Sequence, residues 1–365
     1  MAKKELIALD AGILSAASVV GGKEAEGPLG EGFDLHDPED RFGQKTWEAA
    51  ESEMQRMALG TALAKAGRRE EELGAIFAGD LLNQCVGSAY GLLDYDVPYF
   101  GLYGACSTSA EALLLASVMV THGIYPLTAA VTSSHYCAAE RQYRTPLEYG
   151  GQRPPTAQWT VTGAGAFLLC EAKGKRPFRG PRIRKGFPGR AMEKGVTDAN
   201  NMGAAMAPAA ADTLCRFFSE TSARPEDYDL ILTGDLGFEG GSILCELMEA
   251  EGVSIRSRYD DCGQRIFRRE EQDVHGGGSG CGCSAVVLAA DLLPRLARGE
   301  IGRMLFLATG AMMSPDSIKQ GNAIPAIAHL LEIEGTALPR RAGSKVKPDG
   351  AERTSDSKQS RTEGE

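Results

Sequence analysis

The sequence predicts an α/β protein assembled from two related halves, and three observations predict it. Short apolar runs of β type alternate with Ala- and Leu-rich helical stretches, the pattern of mainly parallel strands covered by helices. Two segments, Glu70 to Gln84 and Pro225 to Gly240, each run through a charged stretch, an apolar run and Gly-Asp-Leu, with Asp80 and Asp235 155 positions apart. Glycine is abundant, 45 of 365 residues, and clusters at strand ends, where tight turns and close backbone approach require it.

In chain order, Trp47 to Ala66 reads as a helix and AIFAG, Ala75 to Gly79, as the strand that precedes the first Gly-Asp-Leu. Gly104 to Ser107 is a tight turn leading into the helix EALLLASVMVTHG and then the strand TAAVTSS, Thr128 to Ser134. Lys173 to Arg190, the most basic stretch and rich in Gly and Pro, reads as a surface connection. The second half repeats the order. Met202 to Phe218 is a helix in which Pro208 is expected near the first turn. The strand LILT follows, then a Gly280 to Ser284 turn, the helix AVVLAADLLPRLARG and the strand RMLFLATGA. Thr132 and Thr309 are 177 positions apart, so an insertion of 22 residues falls between Gly252 and Gly278. The expected division is 1–180 and 181–337 for the halves, with an apolar-poor, disordered tail over 338–365.

Composition excludes several classes. The net charge is −10 and no basic stripe with interleaved aromatics is present, against a nucleic-acid binder. Nine scattered cysteines in a chain of this size do not form a disulfide framework. The N-terminus lacks the pattern of a signal peptide, and no apolar run approaches the ~20 residues of a membrane span. The expectation is a protein soluble inside the cell, or peripheral to a membrane through partners. Gly276 to Cys283 lacks the Lys-Ser/Thr of a phosphate-binding loop, and its Cys-Gly-Cys has no second ligand pair for zinc.

The chemistry concentrates at strand ends. Cys106, in GACSTS at the head of a helix, faces unpaired N–H groups that favour a thiolate or bind a carboxylate; as a small residue it also suits a buried turn. His135 follows a strand end, where ligands of parallel sheets gather, with Arg141 and Arg144 in the same stretch and Glu140 and Glu148 beside them. Asp80, Asn83 and Gln84 follow AIFAG as ligand contacts or turn caps, and Asp235 reads as structural. The Gly276–Cys283 turn is expected to approach the Cys106 turn, placing Cys106 and Cys281 in one pocket.

GACSTS at the head of a buried helix in a duplicated chain resembles the thiolase and ketoacyl-synthase superfamily. Longer motifs resemble the stage V sporulation protein AD family: QKTWE, AGDLLNQ, FGLYGACSTSAE, SSHYCAAERQYRTPLEYGGQ, MGAAMAPAAADT, YDLILTGDLG, GGSGCGCSAV and ATGAMMSP. The resemblance covers about Leu29 to Glu334. The resemblance implies a thiolase-like αβαβα layered fold with two mixed, mainly parallel sheets. It also implies a peripheral protein of the spore inner membrane that binds pyridine-2,6-dicarboxylic acid (dipicolinic acid), free or as its calcium chelate. Its implied partners are the other stage V sporulation channel proteins, and a homodimer is implied by superfamily analogy. The candidate ligand set is Cys106, His135, Asp80, Asn83, Arg141, Glu111 and Cys281, with no metal and no cofactor.

The chain departs from catalytic thiolases in ways that bear on activity. The second-half strand end carries Gly234-Asp235, and Cys281 stands where thiolases have His; His275 lies a few residues early and His329 falls in a strand. A nucleophile without an oriented base suits binding better than acyl transfer. The alternatives are an acyltransferase or thioesterase using Cys106 with His135 as base, and a scaffold with a vestigial pocket.

Overall fold

The computed structural model describes residues 4–143, 152–173 and 178–336. Arg144, Glu148 and the 338–365 tail lie outside the described residues. The strands are β1 (Ile7–Gly21), β2 (Leu35–Asp37), β3 (Ala75–Gly79), β4 (Tyr99–Gly101), β5 (Leu127–Ser134), β6 (Trp159–Thr160), β7 (Gly163–Glu171), β8 (Arg182–Phe187), β9 (Leu230–Thr233), β10 (Tyr259–Asp261), β11 (Gly278–Ser279), β12 (Arg303–Ala311) and β13 (Ala326–Glu334).

The duplication is complete in topology. The first half orders its strands β4-β3-β5-β7-β1 and the second β10-β9-β12-β13-β8. In each, the first three strands are parallel and the last two antiparallel. Ile76 pairs with Tyr99 as Ile231 pairs with Tyr259, so the offset between halves grows from 155 to 160 before the second-half edge strand and reaches 177 after it. The inserted residues are therefore mostly the stretch between β10 and β11.

Two differences from expectation concern the sheets. They form one continuous sheet, because β1 and β8 pair antiparallel through Ile7–Gly186 and Gly12–Arg182. Parallel and antiparallel ladders are evenly mixed rather than mainly parallel, because each half returns through an antiparallel strand, β7 or β13. The joint also corrects the reading of Lys173 to Arg190 as a surface connection. β8 lies inside it, and its cations are matched by acids on the flanking strands: Arg184 pairs with Asp10 and Glu334, and Lys185 reaches Glu332 at 2.8 Å.

The layering follows from strands buried on both faces. In β3, Ala75 and Phe77 enter the central core while Ile76 and Ala78 enter an outer one. In β12, Met304 and Phe306 face the same central core while Leu305 and Leu307 face the other outer one. Leu113 and Leu114 of the Thr108–Thr121 helix and Val286 and Val287 of the helix opening at Cys281 fill the centre. The Trp47–Ala66 helix covers the first half and the Met202–Thr221 helix the second, giving helix and sheet layers in the expected αβαβα order.

Local sequence accounts for most helix ends. Thr46 Oγ1 accepts from Ala49 N at the start of the first outer helix, and Gly67, with φ 60°, ends it. Pro208 sits in the second turn rather than the first, and the helix runs on through it to Thr221. The last central helix is interrupted by a π turn over Leu288–Leu292. Pro294 follows it and has no N–H to donate, so the regular hydrogen-bond ladder is broken there.

Candidate functional site

Cys106 stands two residues before the Thr108–Thr121 helix, after Ala105 with φ 51°. The left-handed Ala105 turns the chain sharply, so the cysteine projects from the turn toward the second half. Gly310, in β12, holds that turn from the other side. A Cβ there would fall 2.2 Å from Gly104 O, so only glycine permits the approach. Gly280, with φ 107°, does the same for the opposite turn: a Cβ would fall 2.5 Å from Ser134 Oγ.

The two turns meet as expected. Cys106 and Cys281 share one small buried cluster with Leu81, Ala139 and the half-buried Tyr143. Cys281 Sγ donates to Ser133 O at 2.9 Å. Cys106 Sγ lies 3.9 Å from Ser279 Oγ, and Ser279 Oγ donates to Asp235 Oδ2 at 3.2 Å. With the serine proton directed at the carboxylate, the Cys106 S–H is the donor to Ser279. Asp235 is held further by Gly280 N at 2.9 Å and Thr309 Oγ1 at 2.9 Å. Tyr143 Oη donates to Leu81 O at 2.8 Å, and the partly exposed Tyr103 lies 2.9 Å from Tyr143 at the rim.

The electrostatics overturn the expectation of a thiolate. Burial, then the Asp235 carboxylate, push the Cys106 thiol well above its usual range, outweighing the lowering influence of the nearby Ser279 hydroxyl and Gly280 N–H. Asp235 is itself raised by burial, against the donors that favour its charge. Cys281 is raised for the same first reason, burial, and then by Cys106.

The remaining candidates take other duties. His135 is fully buried, with Nε2 2.8 Å from Asp40 O and its ring 5.4 Å from Trp47, and its hydrogen bond turns it toward Asp40 rather than toward Cys106. Burial lowers its pKa, so it is a neutral imidazole whose Nδ1 has no partner. Asp80 spends both oxygens as a cap: Oδ1 accepts from Leu82 N, and Oδ2 from Ser88 N and Oγ. Asn83 is exposed and donates its backbone N–H to Gln142. Arg141 pairs with Glu48. Glu111 Oε2 is shielded without a partner, close behind Gly104, and burial raises its pKa. His329 accepts from Gly189 N and His275 binds the Pro154 carbonyl and Asp273, so neither supplies a base to Cys106.

The two aspartates differ. Asp80, expected as a contact or a cap, is a cap; Asp235, expected as structural, ties Gly280, Thr309 and Ser279 together and stands behind the cysteine. The physical reason is Asp261, which accepts from Leu236 N and Gly237 N and so holds the second-half loop, leaving Asp235 to turn inward. Ser279, Tyr103 and Tyr143 also join the site without having been expected there. The lone hydroxyl in GGGSGCGC was the one available signal for Ser279.

With that geometry in place, likeness to known proteins becomes informative. The family model described as stage V sporulation protein AD matches residues 4–334. Stage V sporulation protein AD of Bacillus subtilis (strain 168) is 42% identical over 320 residues, 88% of this chain and 93% of that protein. Among solved structures, a variant of Xanthomonas campestris OleA superposes with TM-score 0.55 at 15% identity, covering 91% of this chain and 100% of that one. The 3-oxoacyl-[acyl-carrier-protein] synthase III of Aquifex aeolicus VF5 gives 0.51 at 12%, covering 89% and 99%. The tetronic acid condensing enzyme AbyA1 gives 0.55 at 17%, covering 89% and 100%. At these identities the structures show the fold, that of thiolase-like condensing enzymes, and nothing more.

Proposed function

The chain belongs to the stage V sporulation protein AD family, and on that premise we propose that it is a non-catalytic thiolase-fold protein that binds dipicolinic acid. In this reading it serves the acid's uptake into and release from the spore, as a peripheral subunit of the stage V sporulation membrane channel. The observation that carries the non-catalytic part is the pairing of Cys106 with Ser279 and Asp235 in place of an imidazole. A thiol kept protonated by burial and by the carboxylate behind it lacks both the thiolate and the base that acyl transfer needs.

In this reading the ligand is a small planar one that sits against the Cys106 cluster. Leu81, Ala139 and the two cysteines offer an apolar surface, and the Tyr103 hydroxyl, hydrogen-bonded to Tyr143, adds a polar group beside it. A free dianion would meet Asp235 unfavourably, whereas a calcium chelate is neutral and avoids that repulsion. Peripheral attachment is consistent with the helices: among the described residues none is long and apolar enough to cross a membrane. The reading extends to a homodimer.

The test is a calorimetric titration with dipicolinate, with and without calcium, on wild type and Cys106→Ala. Saturable binding by wild type, weakened in the variant, is the expected result; no heat at millimolar ligand overturns the binding role. Incubation with acyl-CoA followed by intact-mass measurement should leave the mass unchanged. An acyl adduct on Cys106 would replace this reading with the acyltransferase one.

A further inference from the structure

Beneath the candidate site lies a polar network closed off from solvent. Glu51 and Gln55 come from the first outer helix, Asp80 from the end of β3, Ser133 from the end of β5 and Ser88 from the Val86–Gly91 helix; all five are fully buried. Ser88 Oγ donates to Asp80 Oδ2 at 2.6 Å, and Ser133 Oγ donates to Glu51 Oε1 at 2.8 Å. Gln55 Nε2 reaches Ser88 Oγ at 2.8 Å and Ser133 Oγ at 2.7 Å.

Counting hydrogens fixes the orientation. Each serine has one hydroxyl hydrogen and gives it to a carboxylate, so the group of Gln55 facing both serines must be its amide NH2. Both amide hydrogens are then used. Two acceptors remain buried without a donor: Glu51 Oε2 and Gln55 Oε1. They belong to residues four apart on one helix, which are neighbours on its surface. A proton on one and shared with the other would satisfy both.

We propose that Glu51 is a neutral acid whose proton bridges to Gln55, closing a Glu51–Ser133–Gln55 ring that positions the ends of β3 and β5 under the candidate site. The charge of the network then resides on Asp80, which accepts three hydrogen bonds, and not on Glu51, which accepts one. The direction of the Glu51 titration agrees: burial, then Asp80, raise it well above the usual range. The other titratable groups that feel Glu51 are Cys85 and Cys281, both raised first by burial; Tyr99 lies by Asp80 and Ser88, and on the outer helix Glu48 pairs with Arg141 of the Tyr136–Tyr143 helix. Ser133 is the hinge of the arrangement, because its carbonyl accepts the Cys281 thiol. Glu51 and Gln55 are thus positioning residues, and that role rests on the site reading given above.

Glu51→Gln is the decisive variant, since its amide can donate to Gln55 Oε1 and accept from Ser133 as the neutral acid does. A folded-state pKa raised above the unfolded value contributes stability present at low pH and lost as pH rises toward the folded value. Wild type should therefore lose up to tenfold in its folding equilibrium constant per pH unit above about 4.5, and Glu51→Gln should show a shallower profile. At pH 6 Glu51→Gln should melt with wild type, and Glu51→Ala should melt well below both. The infrared carbonyl band of a buried protonated carboxyl should be stronger in wild type than in Glu51→Gln. A Glu51→Gln protein as damaged as Glu51→Ala, or an unaltered pH profile and carbonyl band, overturns the proposal. Dipicolinate titration of wild type separates the two readings: a wild type that does not bind defeats the ligand assignment, while the melting and infrared data still judge the ring.

Discussion

The Cys106 thiol feels two opposed fields: backbone N–H groups at the head of a helix favour its thiolate, and the Asp235 carboxylate opposes it. Burial decides between them, because desolvation penalises the anion and strengthens the repulsion at the same time. Asp235→Asn removes the charge and keeps the shape. Its alkylation profile with iodoacetamide should move to lower pH, with up to tenfold faster reaction at a given pH for every pH unit the profile moves. An unmoved profile in a variant that retains the wild-type near-ultraviolet circular dichroism would mean that Asp235 does not govern the thiol. Cys106 itself was legible because a cysteine at a Gly-flanked turn before an apolar helix sits where backbone donors converge. Asp235 was not, because Gly-Asp-Leu occurs in both halves and sequence alone does not say which aspartate caps its own loop. That depends on Asp261, which arrives from a strand 26 residues later. His135 was legible as a strand-end residue but not in direction; the Asp40 carbonyl and Trp47 that capture its ring lie far off in sequence.

At the scale of elements, the site exists because two turns from different halves pass closer than side chains allow. Gly310 against the Cys106 turn is the clearest of these contacts, with backbone rather than a yielding side chain in the way. Gly310→Ala should cost at least the ~1–3 kcal/mol typical of overpacking, read from urea unfolding, and should weaken ligand binding beyond any loss of folded protein. Unchanged unfolding would show that the turn is free to move. The glycine clusters announced such contacts in advance, and the repeated strand-loop-helix order predicted which turns would meet. The joint between halves was hidden. β8 carries Arg182, Arg184 and Lys185 within six residues, a composition that reads as solvated surface. Its strand character depends on Asp10, Glu332 and Glu334, acids contributed by β1 and β13 from opposite ends of the chain.

For the whole molecule, the continuous sheet ends at β4 on the first-half side and β10 on the other. The β4 end is unlike an ordinary protected edge. Among the described residues no strand pairs with its outer side, and Tyr90, Leu93, Tyr99, Phe100 and Tyr103 are all exposed on or beside it. An unpaired edge flanked by large apolar groups favours pairing with another strand, and solvent exposure of so many aromatics is costly to solubility. A second copy offers the same edge, so an antiparallel β4–β4 pairing about a two-fold axis would satisfy both at once. It would also bring Tyr103, which is hydrogen-bonded to Tyr143 beside Cys106, to the subunit boundary. Phe100 is a poor residue to change, because it stacks on the buried Phe77 at 4.8 Å and anchors the strand from below while remaining partly exposed above. Tyr99→Lys and Leu93→Lys avoid that anchor and place charge at the boundary. Sedimentation equilibrium should find wild type as a dimer and the double variant as a folded monomer. A wild type that sediments as a monomer at tens of micromolar, or a double variant that stays dimeric, would place the interface elsewhere and leave the β4 edge for a different partner.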